Sequence, residues 1–151
     1  MAMTDGERIM LDTNILLAAT DESRPDHEAA REVIATAGGK GYGLCVSGQI
    51  VREYLVVATR SANQNGLGLS ATHATSNANA FLRFLQLQEE SEAATEKLIE
   101  LCRNYDLQGK RIHDANIVAT MLAHGISFLV TLNTRDFASF EEINLLTLRD
   151  F

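Results

Sequence analysis

Five oxygen-bearing side chains could do chemistry in this 151-residue sequence. Asp12 follows the apolar run Ile9-Met10-Leu11 and precedes two small polar residues, Thr13 and Asn14. Glu53 lies in "GQIVREYLVVA", Asp114 in "HDANIVATMLAHG", and Asn133 and Asp136 in "TLNTRDF". They are too far apart in the chain to be local partners, so only the fold could gather them. Carboxylates brought together repel one another unless protons or a cation relieve them. An all-oxygen set suits a hard divalent ion, Mg²⁺ or Mn²⁺, that keeps some of its waters. Such an ion can hold a phosphodiester and stabilise charge on the attacking and leaving oxygens.

Each residue also has a plain structural explanation. Asp12 is accounted for equally well as the N-cap of a following helix. Glu53 follows Ile50 by three and precedes Val57 by four, which places it along the packing face of its helix. An unpaired carboxylate there is costly, and its simplest relief is an ion pair with Arg52 or Arg60 at the rim. Asp114 shares a side with Val118 and Met121; complementing the helix dipole explains an acid in a first turn but not that placement. Asn133 and Asp136 are common turn residues.

The elements that must position these groups read as a β-α alternation. Apolar runs predict strands over about 8–12, 42–46, 127–132 and 144–148. Helical spacing predicts helices over about 14–20, 26–37, 48–60, 71–87 and 112–124, and one running from Ser91-Glu92 to about Tyr105. Ser47 and Ser70 are placed to cap two of them, and "DFASFEEI" holds a helical turn. Residues 61–70, "SANQNGLGLS", read as a loop or flap with Leu67 and Leu69 tucked in. Strands separated by helices imply a parallel sheet covered on both faces. Asp12 and Asn133 then fall at carboxyl ends of strands, where ligand crevices of such sheets form.

Length suits one domain, residues 1–151, which buries about 68–70% of its unfolded surface and needs no disulfide. No apolar run approaches the roughly 20 residues of a membrane span, and no leader pattern opens the chain. Cys45 and Cys102 have neither metal nor redox spacing, and read as reduced, buried, structural thiols of a cytoplasmic protein. The net charge of −7 argues against wrapping a polyanion. It does not exclude a local site where a cation reverses the charge.

Four stretches, "MLDTN" (10–14), "REY" (52–54), "HDANIVATM" (113–121) and "TLNTRDF" (131–137), span nearly the whole chain. In that order they resemble a PIN domain, specifically a VapC-type toxin ribonuclease of a toxin–antitoxin pair. The resemblance implies a three-layer α/β/α fold with a central parallel sheet. It also implies a Mg²⁺- or Mn²⁺-dependent endoribonuclease leaving 5′-phosphate and 3′-hydroxyl ends, with RNA as substrate and a cognate antitoxin as partner. Asp12, Glu53 and Asp114 match the acidic triad of the family. At the fourth acidic position this chain has Asn133, with Asp136 three residues later, so either could complete the metal site. The family also implies that Thr13 or Asn14 orients ligands or water.

Arg52, Lys110, Arg111 and Arg135 adjoin the motifs as candidate phosphate contacts, although each alone is more simply a surface charge. His113 adjoins Asp114 and receives no catalytic role. Helices 48–60 and 71–87 could form the antitoxin groove or a homodimer surface. Two competing readings are a non-catalytic binding module on the same fold and a metal-dependent phosphatase. The second lacks a DxD motif after the first strand.

Overall fold

The run Arg8–Leu11 folds as strand β1, and its Ile9, Met10 and Leu11 are completely buried. An unbroken apolar run is what a parallel strand covered on both faces requires. The computed structural model, which describes residues 3–151, places it at the centre of a parallel sheet. The other strands are β2 (Gly43–Ser47), β3 (Gln86–Gln88), β4 (Phe128–Val130) and β5 (Asn144–Leu146), in the order β3-β2-β1-β4-β5. In register, Met10 lies opposite Cys45 of β2 and Leu129 of β4. The helices that flank the sheet are α1 (Thr13–Thr20), α2 (His27–Thr36), α3 (Gly48–Thr59), α4 (Ala71–Phe81), α5 (Glu92–Asn104), α6 (Arg111–Ala123) and α7 (Thr134–Phe137). The expected α/β/α architecture with a central parallel sheet is therefore observed.

The strand order fixes where a site can form. From β1 the sheet grows one way through β2 to β3, and β4 and β5 lie on the other side. Connections leave β1 and β4 in opposite directions, so a crevice opens between their carboxyl ends. Asp12 and Thr131 are the residues that follow those two strands.

Local signals account for several helix boundaries. The Ser47, Ser70 and Ser91 hydroxyls accept from the backbone N–H groups of Ile50, His73 and Ala94, and so begin α3, α4 and α5. Gly125, at φ +67°, ends α6 in the left-handed conformation that closes many helices. The 61–70 stretch is bound to the end of α3 rather than lying over the domain. Leu67, Gly68 and Leu69 donate backbone hydrogen bonds to the carbonyls of Val57, Arg60 and Ala58. Leu67 and Leu69 pack on the core, as expected.

Two expectations are corrected. The helix predicted over 71–87 ends at Phe81, and Gln86–Gln88 form the edge strand β3. "FLRFLQLQ" keeps helical apolar spacing through Phe81, Leu82 and Leu85, but pairing of Cys45 with Gln86 and Val46 with Leu87 decides its final residues. Cys102 is half-buried rather than buried; both cysteines are free thiols. Among the described residues, no helix is long and apolar enough to cross a membrane.

Candidate active site

Asp12 is a helix cap that also bridges the β1/β4 crevice. Its Oδ1 accepts from the Thr13 backbone N–H at 2.7 Å, which begins α1. Its Oδ2 accepts from Thr131 Oγ1 at 2.7 Å, across the β1/β4 crevice. The Thr131 hydroxyl accepts in turn from Asn14 Nδ2 at 3.2 Å and from the Asn133 backbone N–H at 2.9 Å. Asn14 Oδ1 accepts from the Leu132 N–H. The two strand ends are thus laced together around one carboxylate. Burial pushes the Asp12 carboxyl above its ordinary range; its two hydrogen bonds pull it down, and the charges of Glu53 and Asp136 push it up.

Glu53 is half-buried, at the edge of the packed face of α3 formed by Ile50, Tyr54 and Ala58. The rim ion pair with Arg52 or Arg60 is not among the salt bridges of the described residues. Neutral donors hold the carboxylate instead: Thr13 Oγ1 donates to Oε2 at 3.1 Å, and Gln49 Nε2 to Oε1 at 2.8 Å. A neutral donor orients a carboxylate without cancelling its charge.

Asp114 sits in the first turn of α6. Its carboxyl is pushed up to about 6, first by burial and then by the charges of Asp136 and Asp12, with a smaller contribution from Glu53. Arg111 pulls it the other way. The Arg111 guanidinium donates to Ser139 Oγ at 3.0 Å and to the Asp136 carbonyl at 3.4 Å, and stacks over Phe140 at 5.8 Å. It is a cation fixed between α6 and α7.

Four of the sequence-predicted groups, Asp12, Glu53, Asp114 and Asp136, therefore lie within electrostatic reach of one another. Asp136 is exposed on α7 with its charge bearing on both Asp12 and Asp114. Asn133 is exposed and contributes its backbone N–H to Thr131. Beside the cluster, an open groove of about 350 Å³ is lined by Thr13, Arg52, Glu53, Val56, Val57, Arg60 and His113. His113 thus reaches the groove despite adjoining Asp114, while Lys110 and Arg135 are exposed. Sequence reasoning missed three buried or half-buried tethers: Thr131, Gln49 and Asn116. The signal available for Gln49 was a polar residue four before Glu53 on the inward side of α3.

The donor set fits a hard divalent cation. It is all oxygen, and a carboxyl near 6 among three other acids is a site whose charge lacks compensation. Among the described residues, no three acidic, histidine or cysteine side chains converge closely enough to coordinate one point. Mg²⁺ commonly takes only one or two carboxylates directly and keeps several waters.

The chain matches the family model described as PIN domain over residues 9–143. No curated protein sequence matches it. Among solved structures it is similar to VapBC2 from Rickettsia felis bound to a promoter DNA fragment, with 21% identity, TM-score 0.70, and coverage of 93% of this chain and 98% of that one. It is similar also to VapBC-1 from nontypeable Haemophilus influenzae, with 16% identity, TM-score 0.70, and coverage of 94% and 98%. A third is Mycobacterium tuberculosis VapC20, a sarcin-ricin-loop-cleaving toxin, with 20% identity, TM-score 0.64, and coverage of 90% and 98%. At these identities the likeness is one of fold; the family match spans most of the sequence and includes Asp12, Glu53, Asp114 and Asp136, and on it the chain belongs to the PIN domain family.

Proposed function

We propose that this chain is a single-domain endoribonuclease, dependent on Mg²⁺ or Mn²⁺, acting as the toxin of a toxin–antitoxin pair. The observation that carries the reading is the acidic cluster at the β1/β4 crevice, with the Asp114 carboxyl pushed up to about 6 by its surroundings. PIN-domain nucleases generally use divalent metal ions. The VapC neighbours include an RNA-cleaving toxin and toxins solved with their antitoxins, which supports an RNA substrate and a cognate antitoxin here. Both free thiols are consistent with a cytoplasmic setting.

Asp12, Glu53 and Asp114 would hold the metal. Asp136 is favoured over Asn133 as the fourth oxygen ligand, because its charge bears on both Asp12 and Asp114. When bound, the ion supplies charge stabilisation to the phosphodiester undergoing attack. Glu53, oriented by Thr13 and Gln49, accepts the proton of the attacking water. The 3′ oxygen leaves, giving 5′-phosphate and 3′-hydroxyl ends. Arg111 and Arg52 contact flanking phosphates, which offsets the acidic balance locally.

The test is Asp12→Asn, measured by metal-dependent RNA cleavage with mapping of the ends and by growth on expression. Loss of cleavage and of growth arrest in a folded variant is the expected result. Cleavage at the wild-type rate would remove Asp12 from the site.

A further inference from the structure

We infer that Gln49 is a positioning residue that sets Glu53 against Asp114 through one side-chain amide; the inference rests on the reading of the acidic cluster as a metal-dependent active site. Gln49 is only 1% exposed, an unusual place for an uncharged polar side chain on an amphipathic helix. Its amide is fully engaged. Nε2 donates to Glu53 Oε1 at 2.8 Å and to the His113 backbone carbonyl at 2.9 Å, while Oε1 accepts from Asn116 Nδ2 at 2.6 Å. Asn116 Nδ2 donates also to Glu90 Oε1 at 2.7 Å, so both its protons are used.

The orientation of this amide is fixed by chemistry. A flipped Gln49 would aim its oxygen at a carboxylate and a carbonyl, both acceptors, and its protons at the donating amide of Asn116. The two protons of one nitrogen therefore tie a carboxylate on α3 to the carbonyl of the residue before Asp114 on α6. Gln49 thereby holds the two acids in register across two helices that come from distant parts of the chain. Because it is neutral, it does this without placing a positive charge beside Glu53 that would compete with a cation. A lysine or arginine in its place would hold Glu53 equally well but would compete with the metal. Groups that orient ligands from outside the coordination sphere commonly contribute 10- to 100-fold in metal affinity or activity.

The experiment measures Mn²⁺ affinity calorimetrically, on the full chain, for wild type, Gln49→Met, Glu53→Gln and the double variant, with a metal-free thermal melt of each. Methionine keeps the volume and removes both donors. The expected result is that Q49M weakens Mn²⁺ binding about 10-fold in the wild-type background and less than about twofold in the E53Q background. In RNA cleavage, kcat falls and KM holds. Equal weakening in both backgrounds would mean a general structural effect and would overturn the inference, as would unchanged affinity in a folded Q49M. If Q49M does not fold, Asn116→Ala serves instead. It frees the Gln49 oxygen from a half-buried position and should weaken Mn²⁺ binding about threefold, with unchanged affinity again overturning the inference. Wild type that binds no Mn²⁺ would overturn the metal-site reading itself, and the inference with it, a result distinct from any difference among the variants.

Discussion

Asp114 carries a carboxyl pushed up to about 6 by burial and by three acidic neighbours. In the unfolded chain it titrates near 3.9. Between those values the folded state holds a proton that the unfolded state has released. The contribution of this group to metal-free stability is therefore complete below about pH 4 and is lost as pH rises toward 6. Asp114→Asn removes that loss: metal-free, at pH 7, its melting temperature should exceed that of wild type by about 5 °C, and the gap should close below pH 4. A lower melting temperature at pH 7 would mean that Asp114 is satisfied where it stands. Nuclear magnetic resonance on the metal-free protein should find the Asp114 midpoint at about 6, and added Mg²⁺ should lower it by displacing the proton. The gathering of Asp12, Glu53 and Asp114 was legible in the sequence because carboxylates at strand ends and on packed helix sides conflict with burial. Gln49, Thr131 and Asn116 were not, because an uncharged polar side chain shows its role only through partners that the chain brings from far away. That the charge of Asp136 bears on Asp12 and Asp114 was similarly closed to the sequence. It depends on the direction in which the short helix α7 carries residue 136, and a one-turn helix is set by its neighbours.

Tyr54 shows how elements are fastened behind the site. It is fully buried, its hydroxyl lies 2.9 Å from Thr20 Oγ1 of α1 and accepts from Asn77 Nδ2 of α4 at 3.3 Å, and its ring meets Phe81 edge-on. One side chain on α3 therefore joins three helices, while the neighbouring Glu53 points into the crevice. Tyr54→Phe should cost about 1 kcal/mol by urea denaturation and leave the rate of RNA cleavage unchanged, because the ring packing survives. A fall in cleavage out of proportion to stability would couple this helix junction to the site. Strands and helices with strong local signals, such as the apolar run of β1 and the serine caps of α3, α4 and α5, were readable in advance. The edge strand β3 was not. Gln86-Leu87-Gln88 is too short for its alternation to register and leaves its one apolar residue exposed, and its extended conformation comes from pairing with β2.

At the scale of the molecule, the acidic cluster sits on a chain already at net charge −7. Self-repulsion then acts at the crevice as well as over the surface, and a cation that binds only the folded state stabilises the whole fold by mass action. At a hundredfold excess of Mn²⁺ over its dissociation constant, the gain is about 2.7 kcal/mol, equivalent to roughly 5–10 °C in melting temperature for a domain of this length. Scanning calorimetry of the full chain should show that rise with Mn²⁺, its reversal by a chelator, and its loss in Asp12→Asn. Ca²⁺, a larger ion that favours more ligands, should give a smaller rise at equal concentration. Monovalent salt at matched ionic strength should give almost none, because screening relieves diffuse surface repulsion but does not supply a ligated charge inside a half-buried cluster. A rise of the same size in Asp12→Asn would place the bound ion elsewhere on the acidic surface. A rise reproduced by salt alone would reduce the effect to screening, and the crevice between β1 and β4 would lose its claim to a resident metal.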